Sequence, residues 1–386
     1  MRVRDLERTF LFGFMVLLAG GRLALAQADE IFVTNDGGNS VSVFPRTATG
    51  DPPLRLIVGA ATGLNRPEKI AIDTVHDELF VGNLQGNSVT VFSRTANGNV
   101  APLRTIAGAS TTLDSPIGVA VDPVNDEVYV VNGTVSGFVT VYPRTANGDV
   151  APLRTFSGFS APSGIALDLV NNEIAVVNSN PPNAIFFYPR TGGAVLRAIA
   201  GSSTGLSAPI DVAIDTVNDE VFASNEIGIT ATVYPRTANG DVAPTRTLSL
   251  GFQPLGVLVD PVNNELSLVS LNNLVVTYAR TASGSDSPIR VLGSSTFAST
   301  RFAAITLGPG GGPTPTITAT PAGPTATPTP TTTANPTATP APGGPTPTPP
   351  PGPGVSAVPM LDPKGLLALA VALALLGYLA LRRMSS

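Results

Sequence analysis

The sequence predicts an all-β protein, a six-bladed β-propeller closed by its own C-terminal strand. Three observations predict it. The first is a marker, an aromatic residue then Pro, Ser or Ala then Arg-Thr, that occurs six times: Phe44-Pro45-Arg46-Thr47, Phe92-Ser93-Arg94-Thr95, Tyr142-Pro143-Arg144-Thr145, Tyr188-Pro189-Arg190-Thr191, Tyr234-Pro235-Arg236-Thr237 and Tyr278-Ala279-Arg280-Thr281. The arginines are spaced by 48, 50, 46, 46 and 44 residues, the period of a propeller blade. Second, each unit holds four short apolar runs rich in β-branched and aromatic residues, bounded by Asn, Asp, Gly and Pro. Third, charged residues make up only 13% of the 386, beside 39 Gly and 37 Pro, which disfavours a helical bundle or coiled coil.

Taken in order, residues 1–28 read as a signal peptide. Arg2, Arg4 and Arg8 form a basic start, residues 10–19 are apolar, and Ala24-Leu25-Ala26 and Ala26-Gln27-Ala28 offer small-x-small cleavage sites. Residues 29–307 are the propeller. It opens on a second-type strand, Ile31-Phe32-Val33-Thr34-Asn35. In the third unit the four strands fall at 117–121, 128–131, 138–142 and 153–156, each too short for a helix. The turn after the first strand recurs as Asp122-Pro123-Val124-Asn125-Asp126-Glu127. The turn after the third recurs as Thr145-Ala146-Asn147-Gly148-Asp149, where Asn-Gly supplies the positive φ of a tight connection. A lone first-type strand at 302–306 is left over at the end, where it completes the opening blade and closes the ring.

Residues 308–354 are Pro, Thr, Gly and Ala without charge, a linker that cannot bury a core. In polyproline geometry such a stalk reaches on the order of 140 Å. Residues 355–386 hold an apolar segment at 365–381 followed by Arg382-Arg383. As a transmembrane helix it is about 25 Å long, near the ~30 Å hydrocarbon core, and its arginines predict a cytoplasmic C-terminus with everything upstream outside.

Two resemblances follow from these residues. Pro116-Ile117-Gly118-Val119-Ala120-Val121-Asp122, and Phe32-Val33-Thr34-Asn35 with Ser40-Val41-Ser42-Val43, resemble NHL and YVTN repeat propellers. That resemblance implies the fold and leaves the function open. Val358-Pro359-Met360-Leu361-Asp362-Pro363-Lys364, the apolar segment and the Arg-Arg end resemble the IPTL/VPxL C-terminal sorting signals of bacterial envelope proteins. Met360 stands where Thr is usual there, and Lys364 where an aromatic is usual. The resemblance implies a sorting protease as partner; a plain membrane anchor is the alternative.

Several chemistries are excluded. Without cysteine there are no disulfides, thiolate metal sites or cysteine nucleophiles, and the single histidine, His76, excludes sites needing two imidazoles. A net charge of −5 with two lysines argues against a nucleic-acid partner. Two arginine rings, Arg46, Arg94, Arg144, Arg190, Arg236, Arg280 and Arg55, Arg104, Arg154, Arg197, Arg246, Arg290, are placed alike in every unit. Such symmetry marks structural ties rather than an anion site. The recurring acidic turns lack the alternating ligands of a calcium loop and read as Asx-turns.

Function is expected on the other face. Loops joining first to second and third to fourth strands share one face and are nearly identical between units. Loops joining second to third and fourth to first share the opposite face and vary, as in Asn35-Asp36-Gly37-Gly38-Asn39 against Asn225-Glu226-Ile227-Gly228-Ile229. Lys69 and Asp211 replace small residues on first strands three units apart, hence opposite across the ring. With Glu68 and Glu226 they form the candidate ligand-binding set at the channel mouth. The asparagines ending the second strands, Asn35, Asn83, Asn132, Asn178 and Asn225, form a candidate ring there. The expected function is that of an exported, envelope-tethered binding module for an envelope protein, a polysaccharide or a small polar ligand, with no catalytic residues and no required cofactor. The alternative is a lactonase-type propeller hydrolase, with a divalent cation held by Glu68, Asp211 and the asparagine ring.

Overall fold

A computed structural model describes residues 29–134 and 137–305. The expected signal peptide, the linker at 308–354 and the segment at 355–386 lie outside the described residues. Among the described residues no helix is long and apolar enough to cross a membrane.

Among the described residues twenty-four strands form six four-stranded antiparallel sheets. The first blade contains β1 (Glu30–Asn35), β2 (Ser40–Pro45) and β3 (Arg55–Val58). Blade two is β4 (Pro67–Asp73), β5 (Glu78–Asn83), β6 (Ser88–Ser93) and β7 (Arg104–Ile106). Blade three is β8 (Pro116–Asp122), β9 (Glu127–Asn132), β10 (Phe138–Pro143) and β11 (Arg154–Phe156). Blade four is β12 (Pro162–Asp168), β13 (Glu173–Asn178), β14 (Ala184–Pro189) and β15 (Arg197–Ala200). Blade five is β16 (Pro209–Asp215), β17 (Glu220–Asn225), β18 (Thr230–Pro235) and β19 (Arg246–Ser249). Blade six is β20 (Pro254–Asp260), β21 (Glu265–Ser270), β22 (Leu274–Ala279) and β23 (Arg290–Gly293), and β24 (Thr300–Ile305) returns to complete blade one. In that blade the order is β24-β1-β2-β3, with Ile31 opposite Ile305 and Asn35 opposite Thr300. The closing strand thus begins two residues before the expected 302.

The second and third strands are buried along nearly their whole length, although third strands such as Ser40–Pro45 and Ser88–Ser93 alternate Ser or Thr with apolar residues. Six apolar clusters result, each spanning two neighbouring blades. Phe80, Val89 and Ile106 of blade two meet Val119, Val130 and Tyr142 of blade three; Ile31, Val33 and Phe44 of blade one meet Val269, Val275 and Leu292 of blade six. The marker aromatics are all buried there, and the hydroxyls of Tyr142 and Tyr234 donate to the carbonyls of Thr111 and Thr204.

The arginine rings are ties, as their symmetry predicts. The glutamate opening each second strand holds the fourth-strand arginine of its own blade: Arg55 on Glu30, Arg104 on Glu78, Arg154 on Glu127, Arg197 on Glu173, Arg246 on Glu220, Arg290 on Glu265. The marker arginine reaches back to the preceding blade, as Arg144 does to Glu78 at 2.8 Å and Arg46 does to Glu265 at 2.8 Å, which joins blade one to blade six. The acidic turns are Asx-turns: Asp122 Oδ1 accepts from the backbone N–H of Val124 and Asn125, and Asp73, Asp168, Asp215 and Asp260 repeat the pattern. His76 takes the Asn place in its turn, with Nδ1 2.7 Å from Asp73 Oδ2.

Candidate functional site at the channel mouth

The first strands ring the channel, and each carries a bulge near its start. In β4, Pro67 pairs with Asn83 and Ile70 with Val81, so Glu68 and Lys69 together oppose Gly82. A bulge re-aims side chains. The residue before the strand turns the chain inward at positive φ in five blades: Arg66 (52°), Ser115 (54°), Ala161 (51°), Ala208 (47°) and Ser299 (51°). Polar side chains on the second strands hold the bulges. Ser224 Oγ donates to Leu255 O and accepts from Asp211 N–H; Thr34 Oγ1 donates to Glu68 O and accepts from Phe302 N–H.

Lys69 and Asp211 meet across the ring, with Lys69 Nζ 2.5 Å from Asp211 Oδ2. Both are buried. The ammonium also lies 4.8 Å from the centroid of the Phe302 ring, and Asp211 Oδ2 accepts from Val257 N–H. Four first strands, β4, β16, β20 and β24, therefore join at this level. The remaining positions are glycines that leave the space: a Cβ on Gly164 would lie 2.6 Å from Asp211 Oδ1, and one on Gly256 3.2 Å from the Phe302 ring. Among the described residues Asp211 Oδ1 has no hydrogen-bond partner. Burial pushes the Asp211 carboxyl up, against the pull of Lys69 and the Val257 N–H.

Above the pair, at the junction of blades one and two, four further charges converge. Asp36 Oδ1 accepts from Arg66 Nε at 2.7 Å, and Asp36 Oδ2 accepts from Arg66 Nη2 at 2.9 Å and Arg301 Nη2 at 3.0 Å. Arg301 Nε stands 3.6 Å from Glu68 Oε1, beyond hydrogen-bond distance. Burial pushes the Glu68 carboxyl up to about 7, opposed by Arg301 and reinforced by Asp36. Burial acts on Asp36 in the same sense, but the hydrogen bonds from Arg66 and Arg301 outweigh it and hold that carboxyl below its ordinary range.

Of the residues expected at the mouth, Glu68, Lys69 and Asp211 are brought together. Glu226 lies on blade five, half-buried, its N–H bonded to Ala208 O. The asparagines are inside the blades instead of around an open mouth. Asn83 Nδ2 donates to Thr90 Oγ1 and Asn225 Nδ2 to Thr232 Oγ1. Oδ1 of Asn83, Asn132, Asn178 and Asn225 accepts from N–H of Asn65, Asp114, Ser160 and Ser207. Those oxygens are committed to the backbone, and among the described residues no three Asp, Glu or His side chains are grouped as a metal ion requires. Asn35 differs: its amide donates to Ser40 and Ser42, while its Oδ1 is a buried atom without a partner among the described residues.

Arg66, Arg301 and Asp36 were missed in the sequence. The signal for Arg66 was present, since the residue before the first-strand proline is Ser115, Ala161, Ala208 or Gln253 elsewhere. Arg301 is harder, because β24 lacks that proline and aligns with its siblings only once the ring is closed.

The fold and the mouth define the protein as a six-bladed β-propeller. Among solved structures, a chain of the nidogen/laminin complex matches it with a TM-score of 0.57 at 13% identity, covering 72% of this chain and 98% of that one. The WD40 β-propeller domain of Doa1 matches with a TM-score of 0.50 at 10% identity, covering 72% of this chain and 82% of that one. At such identities the likeness is one of fold. No family model matches the chain. No curated protein matches it in sequence.

Proposed function

We propose that this chain is an exported, envelope-tethered propeller of the NHL/YVTN-repeat type that binds a polar ligand through its variable face. The envelope protein, polysaccharide or small polar ligand expected from the sequence meets it at the channel mouth. The membrane or a sorting protease takes the C-terminal segment. One observation carries the reading. Asp36, Arg66, Glu68, Lys69 and Arg301 gather at one blade junction, at positions where the other blades mostly have Ser, Ala, Gly, Ile or Leu. Structural ties in this molecule repeat in every blade, and this cluster does not.

β24 ends at Ile305, paired with Ile31, on the regular face. The test is binding of the full chain to a glycan array and to isolated envelope polysaccharide. Arg66→Ser and Glu226→Ala are expected to weaken capture, and Asp126→Ala, in a regular turn, to leave it unchanged. Capture lost with Asp126→Ala and kept with both mouth variants would place binding on the wrong face.

A further inference from the structure

We infer that Arg66 and Arg301 together form a receptor for a ligand carboxylate at the channel mouth, an assignment that rests on the binding role proposed above and adds the chemistry of the ligand. The fold does not require either arginine. Where Arg66 stands, sister blades have Ser115, Ala161, Ala208, Gln253 and Ser299; where Arg301 stands, Glu68, Ile117, Ser163, Ile210 and Leu255 serve.

The two guanidiniums are rich in unused donors. Each presents five N–H groups in a planar fork. Among the described residues all their side-chain hydrogen bonds go to one carboxylate, Asp36, through Nε and Nη2. The marker arginines differ, being shared among two or three acidic residues, as Arg144 is among Asp73, Glu78 and Asp126, while the fourth-strand arginines hold one glutamate each and are less exposed. Exposure separates the two groups as well. The side chains of Arg66 and Arg301 are 36% and 28% exposed, against 9% for Arg144 and 22% for Arg246.

A second observation points to an occupant. Glu68 is buried, yet no hydrogen bond reaches its carboxyl oxygens among the described residues; its nearest cation is Arg301 at 3.6 Å. The charged groups facing it are Arg301 from β24, Asp36 from the loop after β1 and Arg66 just before β4, with the Lys69–Asp211 pair alongside. In its protonated form Glu68 is neutral, the two arginines outnumber Asp36, and its O–H can donate to an arriving carboxylate. The guanidinium fork suits such a partner because two parallel N–H···O bonds form at once. Binding then takes up a proton at Glu68 and tightens as pH falls through about 7.

The experiment is calorimetric titration of the full chain with trigalacturonate, with succinate and with the neutral sugar galactotriose. Saturable binding of at least one acid is expected, and none of galactotriose. Binding of trigalacturonate alone identifies a saccharide uronate, succinate alone a free small acid, and both a carboxylate irrespective of source. Arg66→Ser and Arg301→Ile, residues taken from sister blades, are each expected to weaken binding about tenfold or more. Arg301→Lys keeps the charge without the fork and is expected to weaken binding too, which covers the case in which Arg301→Ile fails to fold. Glu68→Gln should bind with little pH dependence between about pH 6 and about pH 8. Absence of binding of both acids at about 10 mM, or equal affinity in all arginine variants, overturns the assignment. If both acids fail while Arg66→Ser still loses polysaccharide capture, the binding role stands and only the carboxylate assignment falls.

Discussion

Glu68 carries the largest consequence of burial at the scale of one residue. Its carboxyl is raised to about 7 from an unfolded value of 4.5, so between those values the native state holds a proton that the unfolded chain releases. Stability therefore falls as pH rises through that window. Urea midpoints should drop between about pH 5 and about pH 8 by the equivalent of roughly 1–3 kcal/mol, and Glu68→Gln should remove most of that slope. An unchanged slope in the variant would mean that Glu68 titrates elsewhere. Below the window the sign reverses. Glu78, Glu127 and Glu265, held low by their arginines against the opposing effect of burial, lose stability as they protonate. Lys69 and Asp211 obey a second rule of burial, that a desolvated charge is costly once its partner is gone. Lys69→Met alone should cost about 3–5 kcal/mol, and Lys69→Met with Asp211→Leu should recover most of it. Equal losses in the single and double variants would show that the pair is uncoupled.

The first strands show what an element adds to its residues. The bulge at Pro67–Ile70 sends Glu68 and Lys69 out of the regular ladder, and similar bulges at the other five starts converge on the same level of the channel. Alternation in the sequence does not reveal a bulge, so the sequence located the charged positions without their directions. The asparagines illustrate the opposite error. Each ends a second strand, which suggests a ring at the mouth, but the amides of Asn35, Asn83, Asn132 and Asn225 fold back onto Ser or Thr of the third strand, and that of Asn178 onto the carbonyls of Asn180 and Pro182. β24 is the element on which closure depends. A chain ending at Ser299 loses the pairing of Ile31, Phe32 and Val33 with Ile305, Ala304 and Ala303, and the burial of Phe302 beneath Lys69. Its thermal transition should be lower and broader than that of the full chain, since a terminal blade with an open edge frays. An unaltered transition would refute the phase of the repeat.

In the whole molecule, the two faces are built differently. On the regular face a circuit of arginine–carboxylate pairs runs from blade to blade, through Asp168 for Arg236 and through glutamates at the other joints, and closes through Arg46 on Glu265. Its members repeat because each joint poses the same problem, that of holding the edge of one sheet to the next at a fixed angle. Asp126 belongs to this circuit through Arg144 and its exposed side of the turn, so its removal should lower stability slightly and leave ligand capture intact. Lys69, Asp211 and Phe302, from three first strands, meet across the ring, and Asp36 stands on the loop after β1, on the variable face.

The sequence by itself determined the number of blades, the four strands of each, the phase that makes the last strand complete the first blade, and the structural nature of the arginine rings. These are repeated features, and repetition within one chain separates a fold requirement from an accident. It also placed Lys69 and Asp211 opposite each other, because a three-unit offset in a six-unit ring has one geometric meaning. Only the tertiary structure decided that the two touch, that Asp36, Arg66 and Arg301 join Glu68, and that the asparagines face inward. The physical reason is separation along the chain. Asp36 and Arg301 are 265 residues apart and Lys69 and Asp211 are 142 apart, so their meeting depends on ring closure and bulge direction, which no local pattern of residues encodes.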